Sequence, residues 1–194
     1  MGRGIEFDYD KAIDRATRVF WKTGYSNTSL RDLLRAMKIG EGSFYNTVKS
    51  KKNLYLECLK HYRATVINER HTALFSQKSA KLGVRALFKT VLDQMDDPKR
   101  PGLCLMAGSL SRDVLDEKDL REYIVGESAA SGGRFIGLLK SAQESGELPK
   151  ELDPTAVVQI ILTYIQGMSR AAQISYDRQR IERQLEVLLK GLGL

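Results

Sequence analysis

The chain is short of residues that break a helix: it has four prolines in 194 residues, and proline inside a helix removes an N–H and crowds the preceding turn. Apolar residues recur every three or four positions almost throughout, so the pattern predicts an all-α protein of about nine helices. Cysteine is scarcer still. Cys58 and Cys104 stand far apart in no metal-ligand spacing, which argues against a metal site and suits a reduced, cytoplasmic setting. Long apolar runs are missing too. The longest, Ala156 to Met168, is interrupted by polar residues and falls short of the roughly 18 needed to span a bilayer, so no membrane partner is expected. The opening MGRGIEFDYD holds no apolar signal core, and although Gly2 follows Met1 as in a myristoylation site, Glu6 stands where Ser or Thr is required.

Signs of catalysis are equally thin. His61 and His71 are ten apart, no glycine loop matches a phosphate cradle, and no Ser or Cys has an identifiable base partner. A non-enzymatic protein without cofactor or metal is therefore expected. A helical enzyme stays as an alternative, and so does a helical adaptor that binds an acidic protein.

What is present is a basic N-terminal third. Of the net charge of +7, residues 1–65 carry +6, from 13 Lys and Arg against 7 Asp and Glu. The remaining 129 residues carry +1, from 18 against 17. A positive field confined to one end favours a polyanion there, because binding releases counterions condensed on phosphates. The composition, 42% hydrophobic and 28% charged, is ordinary for a globular chain of one large or two small domains.

The basic part contains the stretch Thr28 to Lys51, TSLRDLLRAMKIGEGSFYNTVKSK. Its first helix, from about Thr28 to Met37, opens on a capping Thr/Ser pair and carries Leu30, Leu33, Leu34 and Met37 at helical spacing. A turn at Lys38-Ile39-Gly40 leads to a second helix, roughly Glu41 to Val48. That helix hides Phe44 and Val48 and offers Gly42, Ser43, Tyr45, Asn46 and Thr47. Two such helices often form no more than an αα-corner in a core. The exposed face is unusual for that role, since short hydrogen-bonding side chains and a glycine suit close approach to bases, and Lys49, Lys51 and Lys52 follow as phosphate partners. The layout is that of a helix-turn-helix with its second helix in a major groove.

The run Phe20-x-x-x-Gly24-Tyr25-x-x-Thr28-Ser29-Leu30-Arg31-Asp32-Leu33, then Gly42-Ser43-Phe44-Tyr45 and Lys51-x-x-Leu54, resembles the N-terminal domain of the tetracycline-repressor (TetR) family. The resemblance covers about the first 65 residues and implies a dimeric, all-helical, ligand-responsive regulator of transcription. It further implies that Thr28, Tyr45 and Lys51 contact phosphates, while Glu41, Gly42, Ser43 and Asn46 face bases. Three positions depart from the family pattern: Lys38 replaces a turn glycine, Gly40 a capping Ser or Thr, and Val48 a Phe.

Around this unit the chain reads as follows. A first helix opens at Asp8 or Asp10, carries Ala12, Ile13, Ala16, Val19 and Phe20, and ends at Gly24. Trp21 beside that face reads as packing or rim. From Ser50 a helix with no Pro or Gly runs to about Phe75, and can act as a rigid connector. The helix-turn-helix domain is expected over residues 5–65, with a ligand-binding and dimerisation domain over 66–194.

In the second domain, Val84, Leu87, Phe88, Val91, Leu92 and Met95 mark a helix that Asp96-Asp97-Pro98 stops, and a short one follows from Leu103 to about Val114. A longer helix, Asp119 to Glu144, contains Gly132-Gly133, for which a kink or a close backbone approach beside a cavity is the expected reason. Asp153-Pro154 starts a helix that is apolar most of the way round, and the last runs from about Tyr176 to Leu192 with Ile181, Leu185, Leu188, Leu189 and Leu192 on one face. These two read either as a monomer core or as a four-helix interface with a second copy, and the resemblance points to the homodimer.

A regulator needs a ligand site. The candidates Phe88, Met95, Cys104, Met106, Tyr123, Phe135, Tyr164 and Met168 mix apolar bulk with a few polar tips, as a cavity for a mostly apolar small-molecule inducer requires, though each also reads as ordinary core. Cys104 has Lys99 and Arg100 near in sequence, as a sensing thiol would, but Leu103 and Leu105 suggest inert packing. The expected whole is a regulator that binds a palindromic double-stranded operator and is released by the inducer.

Overall fold

The computed structural model describes residues 8–101 and 104–194. The myristoylation reading at Gly2, residues 5–7 of the expected first domain and the opening at Leu103 of the expected Leu103–Val114 helix lie outside the described residues. Among those described there is no strand. Eleven α-helical segments and one π-helical turn form ten rods, one more than the pattern predicts, because the stretch before Leu115 makes two helices and not one.

Helix α1 (Tyr9–Thr23) starts where the Asp8 carboxylate accepts the Lys11 N–H at 3.1 Å, and stops at Gly24, whose φ of 81° suits only glycine without strain. Helix α2 (Leu30–Met37) opens two residues after Thr28, with Ser29 of the expected capping pair at its N-cap. Ser29 caps it by accepting the Asp32 N–H at 3.1 Å and donates its hydroxyl back to the Asp32 carboxylate at 2.5 Å. Lys38 ends it in the left-handed conformation, at φ 60° and ψ 42°. Helix α3 (Glu41–Thr47) begins at Gly40 without a side-chain cap, so two of the three departures from the family pattern leave visible traces.

The expected Lys51–Phe75 rod is continuous but not uniform. It comprises α4 (Lys51–Tyr62), a π turn at Arg63–Ile67, and α5 (Asn68–Phe75). On a 3.6-residue turn, a spacing of four drifts round the axis, and the wider π turn offsets that drift. Tyr62, Val66, Arg70 and Leu74 consequently all stay buried. Helix α6 (Ala80–Asp96) folds back antiparallel on α5. A Cβ at Gly83 would lie 2.3 Å from the Leu74 carbonyl oxygen, so the two backbones meet there and only glycine fits.

Short helices α7 (Leu105–Gly108) and α8 (Arg112–Leu115) lead to α9 (Lys118–Glu144), α10 (Pro154–Ala171) and α11 (Arg178–Gly191). The Gly132-Gly133 expectation is corrected: α9 runs through both glycines as one helix, and a Cβ at either would meet nothing within 4 Å. Two cores result. One gathers Phe20, Leu33, Phe44, Tyr55 and Tyr62 with Leu105, Val114 and Leu120, so α7, α8 and the start of α9 complete the core beneath the helix-turn-helix. The other joins Val84, Phe88, Phe135 and Ile161 to Ile181, Leu185 and Leu189. Much of the apolar face of α11 is thus spent within its own chain, while Ile160, Ile174 and Val187 stay 43%, 91% and 75% exposed.

Candidate nucleic-acid interface and cavity

Helix α3 is anchored by one side chain and its following residue. Phe44 is fully buried and Val48 nearly so, whereas Glu41, Gly42, Ser43, Tyr45, Asn46 and Thr47 are all exposed. Tyr45 stands edge-on to Phe44, 5.3 Å between ring centroids, and is half exposed. The Thr47 hydroxyl donates to the Ser43 carbonyl at 2.8 Å. That bond keeps Thr47 on the helix and leaves Asn46 and Ser43 as the free amide and hydroxyl beside it. Lys49 follows at φ 68°, a left-handed residue that turns the chain sharply before Ser50 caps α4 by accepting the Asn53 N–H at 3.0 Å.

Lys51 is held in place. Its ammonium sits 4.8 Å from the centre of the Tyr25 ring and 3.5 Å from the Ser26 carbonyl oxygen, and burial lowers its pKa below the usual lysine value. Thr28 is placed differently from the other candidates. It is 2% exposed, its hydroxyl donates to the Gly24 carbonyl at 2.6 Å and lies 2.5 Å from the Thr23 hydroxyl. Its side chain fixes the turn that carries Tyr25 and Ser26. Lys52, expected among the phosphate partners, instead pairs with Asp119 at 2.8 Å and Glu117 at 3.8 Å at the start of α9.

The same turn, and α4 behind it, are tied to the short helices α7 and α8. The Ser26 hydroxyl donates to the Asp113 carboxylate of α8, and the buried hydroxyls of Tyr55 in α4 and Ser109 after α7 lie 2.8 Å apart. Behind α7 is a cavity of about 190 Å³, walled by the π turn, α5, α6, α7, α9 and α10. Of the candidate ligand residues, Cys104, Met106 and Phe135 line it. Phe88, Met95, Tyr123, Tyr164 and Met168 do not: Phe88 and Tyr164 meet edge-on in the second core at 6.1 Å, where Met168 is buried and Met95 packs alongside, and Tyr123 packs on the first.

The sequence reading missed the polar wall. Arg63, Arg70, His71, Glu127, Ser131 and Ser169 line the cavity together with Leu74, Leu87 and Ile165. A signal was available for Arg70, which falls four residues after Val66 and four before Leu74 in a column that also starts with Tyr62. An arginine inside an apolar column is a buried charge, and buried charges are seldom idle. Arg70 is 8% exposed and donates from Nε to Gln94 Oε1 at 2.7 Å and from Nη1 to Cys104 Sγ at 3.6 Å. Burial pushes the Cys104 thiol up, but the Arg70 guanidinium and the Tyr62 hydroxyl, which donates to Sγ at 3.5 Å, outweigh it and hold the pKa below that of an ordinary cysteine. Cys58 contrasts with it: burial pushes that thiol up to about 12.

Comparison with known proteins agrees with this geometry. The family profile described as bacterial regulatory proteins, tetR family, matches residues 12–58, and the one described as tetracyclin repressor-like, C-terminal domain, matches residues 81–188. An uncharacterized HTH-type transcriptional regulator, YezE of Bacillus subtilis, is 30% identical over 99% of this chain and 100% of its own. The HTH-type transcriptional repressor ComR of Escherichia coli is 27% identical over 89% of this chain and 82% of its own. Among solved structures, a cysteine mutant of the TetR family transcriptional regulator CifR, in complex with 26 bp double-strand operator DNA, superposes with a TM-score of 0.89. It is 28% identical and covers 98% of this chain and 100% of that one. With the C-terminal profile alone spanning more than half of its residues, the chain belongs to the tetR family of bacterial regulatory proteins.

Proposed function

We propose that the chain is a cytoplasmic, ligand-responsive transcriptional repressor that binds a palindromic operator as a homodimer, with no catalytic step. The observation that carries this reading is the exposed face of α3, with six contiguous-in-space candidates for the groove and Lys51 pinned beside the turn that precedes α2. Glu41, Gly42, Ser43 and Asn46 face bases, while Tyr45, Thr47, Lys49 and Lys51 hold phosphates. Thr28 acts by shaping the turn. Operator binding by CifR and repression by ComR, as their names state, support the same role here. The domains are residues 5–65 for DNA and 66–194 for ligand and dimerisation.

Two such helices in a dimer read successive major grooves about 34–36 Å apart. The exposed Ile160 and Val187 on α10 and α11 supply the apolar contact between copies. A molecule entering the cavity presses on α7 and hence on Ser109, Tyr55 and the Asp113–Ser26 contact. It changes the spacing only as far as it binds one conformer better than the other. Selection of duplexes from a random pool at physiological salt tests the reading. A two-fold symmetric consensus is expected, and a folded, ligand-free protein that enriches no sequence would favour an adaptor with a protein partner.

A further inference from the structure

The cavity wall carries a cation with no anion of its own. A guanidinium has five N–H groups in a rigid fork that matches a carboxylate, yet Arg70 spends them on one amide oxygen and one sulfur, and among the described residues no carboxylate pairs with it. The two nearby carboxylates are engaged elsewhere. Glu69 accepts both Arg100 Nη groups at 3.1 Å and the Gln94 amide at 2.7 Å, and Glu127 accepts Arg63 Nε at 2.7 Å.

A second polar group faces the cavity from the same helix. The His71 imidazole lines the cavity with its Nδ1 buried and without a hydrogen-bond partner. Burial first, then the cations of Arg134 and Arg63, lower the His71 pKa, which favours the neutral imidazole. The apolar part of the wall is built by Leu74, Leu87, Phe135, Leu162 and Ile165.

We propose that this cavity binds a small organic acid, its carboxylate seated on Arg70 with His71 beside it and its apolar body against Leu87, Phe135 and Ile165. The proposal rests on the reading of the cavity as the effector site, and names the ligand class. Cys104 Sγ, which accepts from Nη1 at 3.6 Å, is the weak sulfur contact that competes for the guanidinium. An arriving carboxylate displaces that contact and leaves Sγ with the Tyr62 hydroxyl, which already donates to it at 3.5 Å. A bound acid thereby alters the packing of α7, which Cys104 precedes.

Matched probes test this with the full chain: hexanoate against hexanamide, and phenylacetate against phenylacetamide, by calorimetric titration. Each acid is expected to bind about ten-fold or more tightly than its amide, the size of one charge-assisted bidentate contact. Arg70→Gln should bring the ratio close to one, and Cys104→Ser should keep it. Because Arg70→Gln also removes a buried hydrogen-bonded group, the wild-type ratio, which needs no variant, is the deciding number. Equal binding of acid and amide, no binding of either acid, or loss of the preference in Cys104→Ser overturns the proposal. Duplex selection is scored separately: a symmetric consensus without acid binding removes the ligand class and leaves the regulator, whereas acid binding without a consensus removes the regulator and leaves the cavity.

Discussion

The Ser26 hydroxyl donates to the Asp113 carboxylate across 87 positions of sequence, and so joins the turn ahead of the DNA-reading helices to the short helix that follows the cavity wall. Lys52 of α4 and Asp119 of α9, 2.8 Å apart, make a second such connection. Neither contact is needed to close a core. Both tie the orientation of α4, and with it α3, to the position of α8 and α9.

Asp113→Ala should therefore change DNA binding more than folding. An exposed hydrogen bond to a carboxylate is worth on the order of 1 kcal/mol, so the affinity of effector-free protein for its selected duplex should fall about two- to ten-fold. The melting temperature should stay within a few degrees. The Ser111 and Ser26 hydroxyls hold Asp113 below the usual aspartate pKa. Its contribution is thus complete above the ordinary value near 4 and fades as pH drops through the lower folded value. The difference in duplex affinity between wild type and Asp113→Ala should therefore not vary between pH 6 and 8, and a steep loss over that window in wild type but not in Asp113→Ala would contradict this.

On α3 and its flank the roles separate by salt and sequence. Lys51→Ala should weaken binding to selected and random DNA alike and lower the slope of log affinity against log salt by about one. Tyr45→Ala should also weaken both. Asn46→Ala should cost about 1–3 kcal/mol on the selected site and little on random DNA. Fluorescence anisotropy over a range of salt measures all three, and uniform losses would remove the assignment of Asn46 to a base.

Two backbone positions give opposite stability changes. Lys38 adopts φ 60° where a glycine is relaxed, so Lys38→Gly should stabilise by about 0.5–1 kcal/mol after the added freedom of the unfolded chain is allowed for. Gly83→Ala sets a methyl 2.3 Å from the Leu74 carbonyl oxygen, which belongs to backbone and cannot swing aside. A loss of about 1–3 kcal/mol is expected from forcing α5 and α6 apart. Chemical denaturation of both variants checks the pair.

The helix-turn-helix was legible because its signals are local. Phe44 and Val48 are four apart, the residues between them are polar or small, and the structure buries the two and exposes the rest. The cavity was not, because the Arg63, Arg70 and His71 part of its polar wall lies on the rod read as a plain connector. Nothing in the residue types of Arg63–Ile67 marks a π turn, and a hydropathy pattern counts Arg70 as surface although its neighbours at four and eight residues are buried. Tyr164 and Phe88 show the converse. Aromatic and Met residues at core spacing attracted a ligand reading, and tertiary packing used them to hold α6 against α10.

The dimer surface is the last expectation that the single chain leaves open to experiment. An apolar helix such as α10 needs cover on more than one side, and its own chain buries Val157, Val158, Ile161, Ile165 and Met168 while leaving Ile160 43% exposed. Val187 on α11, at 75%, is likewise out of reach of its own core. Val187→Glu, or Ile160→Glu, places a charge where two copies would meet and should cost nothing in an isolated chain. Sedimentation should then show a shift from dimer to monomer at micromolar protein with the helical content unchanged. Affinity for the symmetric duplex should drop by more than ten-fold, since each half-site is held alone and the linkage between the two is lost. If both variants remain dimeric, the contact between copies lies on another face, and the spacing of the two α3 helices has to be derived from that face instead.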